Sequence, residues 1–527
     1  MRFISKTRLL ASSLLVSASM FGLAAAATAQ DATFVVSAQN VGTPSYNPIN
    51  GTKLNDAITL IFDRMVIQDA DQSFHGQLAT EWESTSDGMS WTFKLRPGVT
   101  FHDGEPFNAD TIVWWIPQFA DTENAFMTDA IESVEVIDDL TVRFVMKNPD
   151  PNLLSNMSSG FMGIPSPRAF DELGDDFGVT VAIGSGPFKL ESFTVGQETV
   201  LSANEDYAWA SDLSENQGAP HIKTLTFREI SEDSTAFLEL STGGVDMLYS
   251  VPTDFLPRLE AEDSVQVGTM PGTGLFYIPI NTTVEPFTDI NVREAAAFAI
   301  NQKEILDNLY GGVGSVANTF LIDSLLSANV DPALKISYDP DRSNALLDEA
   351  GWMMGSDGVR EMDGTKLQVA LWTQNGTEFK RVTEVVQAQL KAVGIGADIT
   401  VFDSATINDQ YRKGTDHQLA VRSYSWANAD IIDWFFSGER LGYPNVSMWN
   451  DATAEEMNAA AMKGSRTWEE RVTHFTTYHE YVLSQFVFAP IYQPVQIYAY
   501  SKESITVPEA VRGTRLQSQT VVDITVN

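Results

Sequence analysis

The stretch SYSWANADIIDWFF, residues 423–436, sets Tyr424, Trp426, Asn428, Asp430 and Trp434 close together, side chains that a sugar-binding cleft would use. Aromatic faces suit the apolar side of a sugar ring, and amides or carboxylates suit its hydroxyls. Arg422, just upstream, can clamp a carboxylate through two parallel N–H bonds. Trp434 and Phe435 sit in an apolar setting and read as core. A second candidate is the early segment Gly42-Thr43-Pro44-Ser45-Tyr46-Asn47-Pro48, where two prolines stiffen the chain and Tyr46 offers a ring with a polar tip. Asn47 stands beside it, and the same composition equally suits a surface turn.

Reactive chemistry is sparse. The sequence has no G-x-S-x-G elbow, Walker loop, H-E-x-x-H motif or calcium loop. Cysteine is absent, which removes disulfides, thiolate metal sites, cysteine nucleophiles and any lipid-modified cysteine. His474 and His479 are five apart, an offset that does not stack two ligands on one helix face, so packing is the expected role. Gly311-Gly312-Val313-Gly314 follows a helical pattern and reads as a helix stop, not a phosphate cradle. Carboxylate pairs such as Asp138-Asp139 and Glu469-Glu470 read as solvated faces. No catalytic residue, metal or cofactor is therefore assigned. A secreted hydrolase with an acid pair assembled from distant segments is the competing class.

The elements that must position these residues follow a leader. Residues 1–30 carry Arg2, Lys6 and Arg8, then an apolar stretch, then Ala27-Thr28-Ala29, the order of a cleavable signal peptide. No later stretch approaches the ~20 apolar residues of a membrane span, so a soluble exported protein without direct membrane insertion is expected. The whole chain has a net charge of −37; without the leader, 30 basic and 70 acidic side chains leave −40. Such a surface repels nucleic acid and anionic lipid. About 500 mature residues exceed the ~250–300 that one core serves, so several domains are expected.

Alternating residues at 91–95 and 140–146 read as half-buried strands. Later the period becomes helical. Asn291 is a candidate cap for a helix running to Gly311-Gly312; another starts at Asp339-Pro340 and stops at Gly351. A third, 377–393, turns at Gly394 into the strand-like 397–402, half of a βαβ unit. Periodicity thus gives an α/β protein of more than one lobe.

The run LATEWESTSDGMSWTFKLRPGVTFHDGEPFNADT, residues 78–111, closely resembles the signature region of the peptide/nickel-type (family 5) extracellular solute-binding proteins of ABC importers. GSGPFKL at 184–190, Thr242-Gly243-Gly244-Val245-Asp246, Pro286-Phe287-Thr288-Asp289 and YDPDRSNALLDEAGW at 338–352 are similar to further elements of that family. The resemblance implies an α/β, two-lobed periplasmic binding protein fold, with a ligand cleft between the lobes and an extra inserted domain, its mixed sheets flanked by helices. By analogy, domain I comprises 31–55, 183–274 and 494–527, domain II is the insertion 56–182, and domain III, the second lobe, is 275–493. Hinges are expected near 275–280 and 491–497.

In peptide-binding members a Trp-x-x-Asp element supplies a carboxylate for the ligand amine. Here Trp426 is in place, but Ala429 occupies the fourth position and Asp430 follows one later. A one-residue slip turns a side chain to the other face of an extended strand, so this departure leaves the amine anchor open. The implied role is a monomeric, Gram-negative periplasmic component that delivers a small solute to an inner-membrane permease. Peptide is the family default, and an oligosaccharide, sugar-acid or opine-like ligand is the alternative. Residues 42–48 resemble the family's early loop, which reaches the cleft from the first lobe, and the candidate ligand-binding residues are Tyr46, Asn47, Arg422, Tyr424, Trp426, Asn428 and Asp430. Six scattered histidines and no cysteine argue against nickel itself.

Overall fold

The computed structural model describes residues 31–36, 45–51, 56–69, 71–414, 416–509 and 518–527. The expected leader and Gly42, Thr43 and Pro44 lie outside these residues. No helix among the described residues is long and apolar enough to cross a membrane.

Three main sheets divide the chain. A seven-stranded sheet runs in the order Val265–Pro271, Val495–Ser501, Met247–Leu248, Asp31–Val36, Thr224–Glu229, Glu198–Ala203, Phe188–Thr194. Segments near residues 31 and 500 and from the middle of the chain therefore meet in one layer. A four-stranded antiparallel sheet, ordered Ala79–Ser84, Ser90–Leu95, Thr141–Met146, Ile131–Asp138, forms wholly between two strands of the first. A six-stranded mixed sheet holds Ser315–Val316, Phe488–Gln493, Gly274–Pro279, Leu419–Ser425, Gln368–Gln374 and Gly396–Phe402. Here Gln368–Gln374 and Gly396–Phe402 pair in parallel, joined by the helix Thr377–Ala392 as the βαβ pattern requires. We refer to the first two sheets as the first lobe and to the third as the second lobe.

Each sheet has its own apolar core, and the second lobe's is drawn entirely from residues 275–492. The inserted four-stranded sheet is less self-contained. Its core takes Tyr207, Trp209 and Ala210 from beyond residue 182. Polar bonds fasten the same join. The fully buried Asp63 carboxylate accepts from Gln77 Nε2 (2.5 Å), Trp209 Nε1 (2.9 Å), Ser185 Oγ (3.1 Å) and Tyr207 Oη (3.4 Å). Burial pushes its pKa up to about 7 even against these donors and the Arg64 charge.

The helix expected from Asn291 to Gly311 is two helices. Asp289, not Asn291, caps Ile290–Phe298, and Asn301 caps Gln302–Tyr310 by accepting from Glu304 N at 3.0 Å. The apolar period runs on across Ile300-Asn301, so it conceals a break made by a capping side chain. Gly311 ends the second helix at φ 61°, a left-handed conformation that glycine adopts without steric cost. Asp339 caps Pro340–Glu349 as its position suggests.

The lobes are joined where the chain crosses twice, between Pro271 and Gly274 and between Gln493 and Val495. The first crossing lies before the expected 275–280, because those residues are already in the second lobe's sheet or its edge. The crossings touch: a Cβ on Gly272 would stand 1.9 Å from Pro494 O. Only glycine lets the two backbones approach so closely. Away from the crossings the lobes also meet. Leu326 N donates to Gln72 Oε1 at 2.8 Å, and Phe74 packs edge-to-face on Trp468 at 5.6 Å.

Candidate functional site

The strand Leu419–Ser425 delivers its chain directly to the gap between the lobes. At its end Trp426 N donates to Thr273 O (2.8 Å), fixing the following loop to the first crossing. The loop then folds on itself: Trp426 Nε1 donates to Asp430 Oδ1 (2.7 Å), and Asp430 N donates to Asn428 Oδ1 (3.2 Å). Asp430 opens the short helix Ile431–Phe436.

Arg471 supports this loop from the helix Trp468–Ser484, whose start is capped by Thr467. It is buried, with Nη2 3.1 Å from Asn428 Oδ1 and 3.8 Å from Asp430 Oδ2, and its guanidinium lies over Phe475. The first lobe answers with the turn 148–152. There Asn152 N donates to Asp150 Oδ1 (2.9 Å), and Asn428 Nδ2 donates across the gap to Asn152 Oδ1 (3.0 Å).

Between these walls lies a cavity of about 660 Å³. The first lobe contributes Arg64, Phe126, Asp150 and Asn152 to its lining, and the second contributes Trp426, Asn428, Asp430 and Arg471. Phe126 and Trp426 are 57% and 44% exposed, so both retain uncovered apolar ring surface. Because its N–H is engaged by Asp430, Trp426 offers a ligand its face.

Burial raises the pKa of Asp430 and of Asp150, while Arg471 draws both back down. Burial also lowers that of Arg471, opposed by the two carboxylates. Arg64, held by Ser158 O at 2.9 Å, is lowered to about 10 by burial. The inner wall therefore offers fixed charges of both signs in a partly dry space, where each is stronger than in water.

Of the seven residues expected from the sequence, Trp426, Asn428 and Asp430 line this cavity, and the other four do not. Tyr46 is 2% exposed in the first lobe's core, its hydroxyl paired with Thr199 Oγ1 and its ring edge-on to Phe193. Asn47 is turned inward as well, accepting from Ile49 N at 3.0 Å to shape its own turn. Tyr424 is buried and donates to Phe320 O at 2.6 Å. Arg422 packs between the rings of Tyr411 and Tyr443, away from the cavity. Trp434, expected as core, is 48% exposed with Arg440 over its ring, whereas Phe435 is buried.

Sequence reasoning missed Arg64, Phe126, Asp150, Asn152 and Arg471. The turn Asn148-Pro149-Asp150-Pro151 was a visible signal, but nothing local marks the other positions. His479 is buried, donating from Nδ1 to Ser327 O (3.0 Å) and accepting at Nε2 from Phe320 N (3.1 Å), and burial lowers its pKa to about 4. It is a packing residue. None of the six histidines lines the cavity, and no cluster of His, Cys, Asp and Glu among the described residues could hold a metal ion.

Known proteins share this fold. The chain is 28% identical over 383 residues to the nickel-binding periplasmic protein of Escherichia coli K12, covering 70% of this chain and 71% of that protein. It is 26% identical over 496 residues to the oligopeptide-binding protein AppA of Bacillus subtilis, covering 90% and 87%. Its fold matches the crystal structure of a nickel ABC transporter protein from Bacillus halodurans with a TM-score of 0.77 at 22% identity, over 93% of this chain and 98% of that one. Residues 73–440 match the middle region of the bacterial extracellular solute-binding proteins, family 5, and the chain belongs to that family.

Proposed function

We propose that this protein is the periplasmic substrate-binding component of an ABC importer in a Gram-negative cell. It captures a small amine-bearing solute of the peptide class by closing its lobes, and delivers it to an inner-membrane permease. The carrying observation is that the cavity takes its charged lining from both lobes, Asp150 and Arg64 from one, Asp430 and Arg471 from the other. A ligand there gains contacts from both walls only when they are together, and that differential contact drives closure. Asp150 and Asp430 flank Arg471, so a ligand ammonium meets two carboxylates while a ligand carboxylate has Arg64 or Arg471.

The exposed faces of Phe126 and Trp426 favour a second reading, a sugar-acid or opine-like solute held by ring stacking. Mass spectrometry of whatever is released from protein purified gently from its native periplasm separates these readings. Calorimetry of the released compound should then show stoichiometric binding, and the compound should be recovered unchanged. Product formed at catalytic yield would replace transport with a hydrolase, and a bound compound without any amine would exclude the peptide class.

A further inference from the structure

Arg422 is half-buried on the strand that leads to Trp426, yet among the described residues it has no carboxylate within 4 Å and donates no hydrogen bond. Its Nη1 is buried and unpartnered. The guanidinium carbon lies 4.9 Å from the centre of the Tyr411 ring and 5.2 Å from that of Tyr443, which provide π faces but no anionic acceptor. Tyr277 is its direct register partner on the neighbouring strand Gly274–Pro279.

Two more buried polar atoms without partners belong to the same cluster, Tyr277 Oη and Tyr411 Oη, each on a residue 1% exposed. Arg422 and both tyrosines are close enough to influence one another's ionisation, and burial pushes both phenols above their ordinary range, so they are O–H donors. Leaving several buried donors unsatisfied beside an uncompensated charge is costly, and clusters of this kind normally hold a water or an ion. Neither a phenol nor a guanidinium here can satisfy the others with a negative charge.

We propose that Arg422, Tyr277 and Tyr411 bind a small inorganic anion of the halide class inside the second lobe, separate from the inter-lobe cavity. None of these residues lines that cavity. An acceptor-only, monatomic ion matches a site built of donors whose tyrosines are 1% exposed. His417 marks its boundary. Its Nε2 donates to Val446 O at 2.7 Å, so its buried, unpartnered Nδ1 is an acceptor and calls for a donor such as water. The anion would neutralise Arg422 and brace the strand that carries Trp426. This inference is independent of which solute the cleft takes.

Bromide provides the test. Crystals of the full mature protein soaked in sodium bromide should give an anomalous peak within hydrogen-bond distance of Arg422 Nη1 and at least one of the two phenols. In solution, bromide or chloride at about 100 mM should raise the melting temperature by a few degrees over sodium gluconate of equal ionic strength, the mass-action signature of binding to the native state. Arg422→Met should abolish that halide-specific shift. If it fails to fold, Tyr411→Phe, which deletes one donor and keeps the ring, should reduce the shift. A water-only site in the bromide data, or equal melting in halide and gluconate, overturns the proposal.

Discussion

Trp426→Ala tests the cavity most directly, and its size can be worked from exposure. A tryptophan side chain presents roughly 250 Å² when free, so at 44% exposure about 110 Å² of Trp426 remains for a ligand to cover. Covering half to all of that area at about 25 cal/mol per Å² is worth roughly 1.4–2.8 kcal/mol, or about ten- to hundredfold in Kd. Unfolding stability should fall as well, by up to about 3 kcal/mol, since the protein itself covers the other ~140 Å² and the bond from Nε1 to Asp430 is lost. Trp426→Phe separates the parts: it keeps a ring face and releases Asp430, so it should retain most of the affinity. Isothermal titration with the identified ligand, beside thermal melts of the three proteins, reads both quantities. An alanine variant that binds normally but melts far earlier would make the indole a core residue and refute the reasoning.

For an amine ligand, Asp150→Asn and Asp430→Asn should each weaken binding by about 1.5–3 kcal/mol, the range for bonds to charged groups, while a neutral sugar should lose much less; titration calorimetry decides. Affinity for that amine should also fall on acidification. Both carboxyls are raised by burial, so they take up protons and lose their charge at a higher pH than exposed aspartates, and affinity measured from pH 8 to pH 4 should decline earlier than for a surface-charge control. Gly272→Ala drives a methyl into Pro494 O and should cost on the order of 1–3 kcal/mol, read as a lowered melting temperature with circular dichroism. Small-angle scattering should show a smaller radius of gyration on ligand saturation, and an unchanged radius with verified binding would count against hinge closure.

What could be read in advance depended on how local the causes were. Alternation in 91–95 and 140–146 reports one buried face each, and strands Ser90–Leu95 and Thr141–Met146 stand there. The break at Asn301 escaped notice because a capping side chain need not interrupt an apolar period. Trp426, Asn428 and Asp430 could be found together because one loop carries all three. Asp150 and Arg471 come from segments some 320 residues apart and meet only because two lobes are apposed, a relation that no local pattern encodes. Tyr46 misled for the opposite reason. A proline-flanked tyrosine looks alike in a cleft loop or a core, and the decision is made by distant Gly178, whose carbonyl accepts from Tyr46 N at 2.7 Å.

The Asp63 junction bears on how the inserted sheet can be handled as a piece. Four donors converge on that carboxylate, and three of them, from Ser185, Tyr207 and Trp209, lie beyond residue 182. A chimera exchanging only residues 56–182 with a relative would leave the transplanted carboxylate facing foreign partners and would open the apolar layer that Tyr207, Trp209 and Ala210 complete. The transferable unit is therefore discontinuous. Any graft intended to move ligand preference between family members has to carry Ser185 and residues 207–210 together with the insertion.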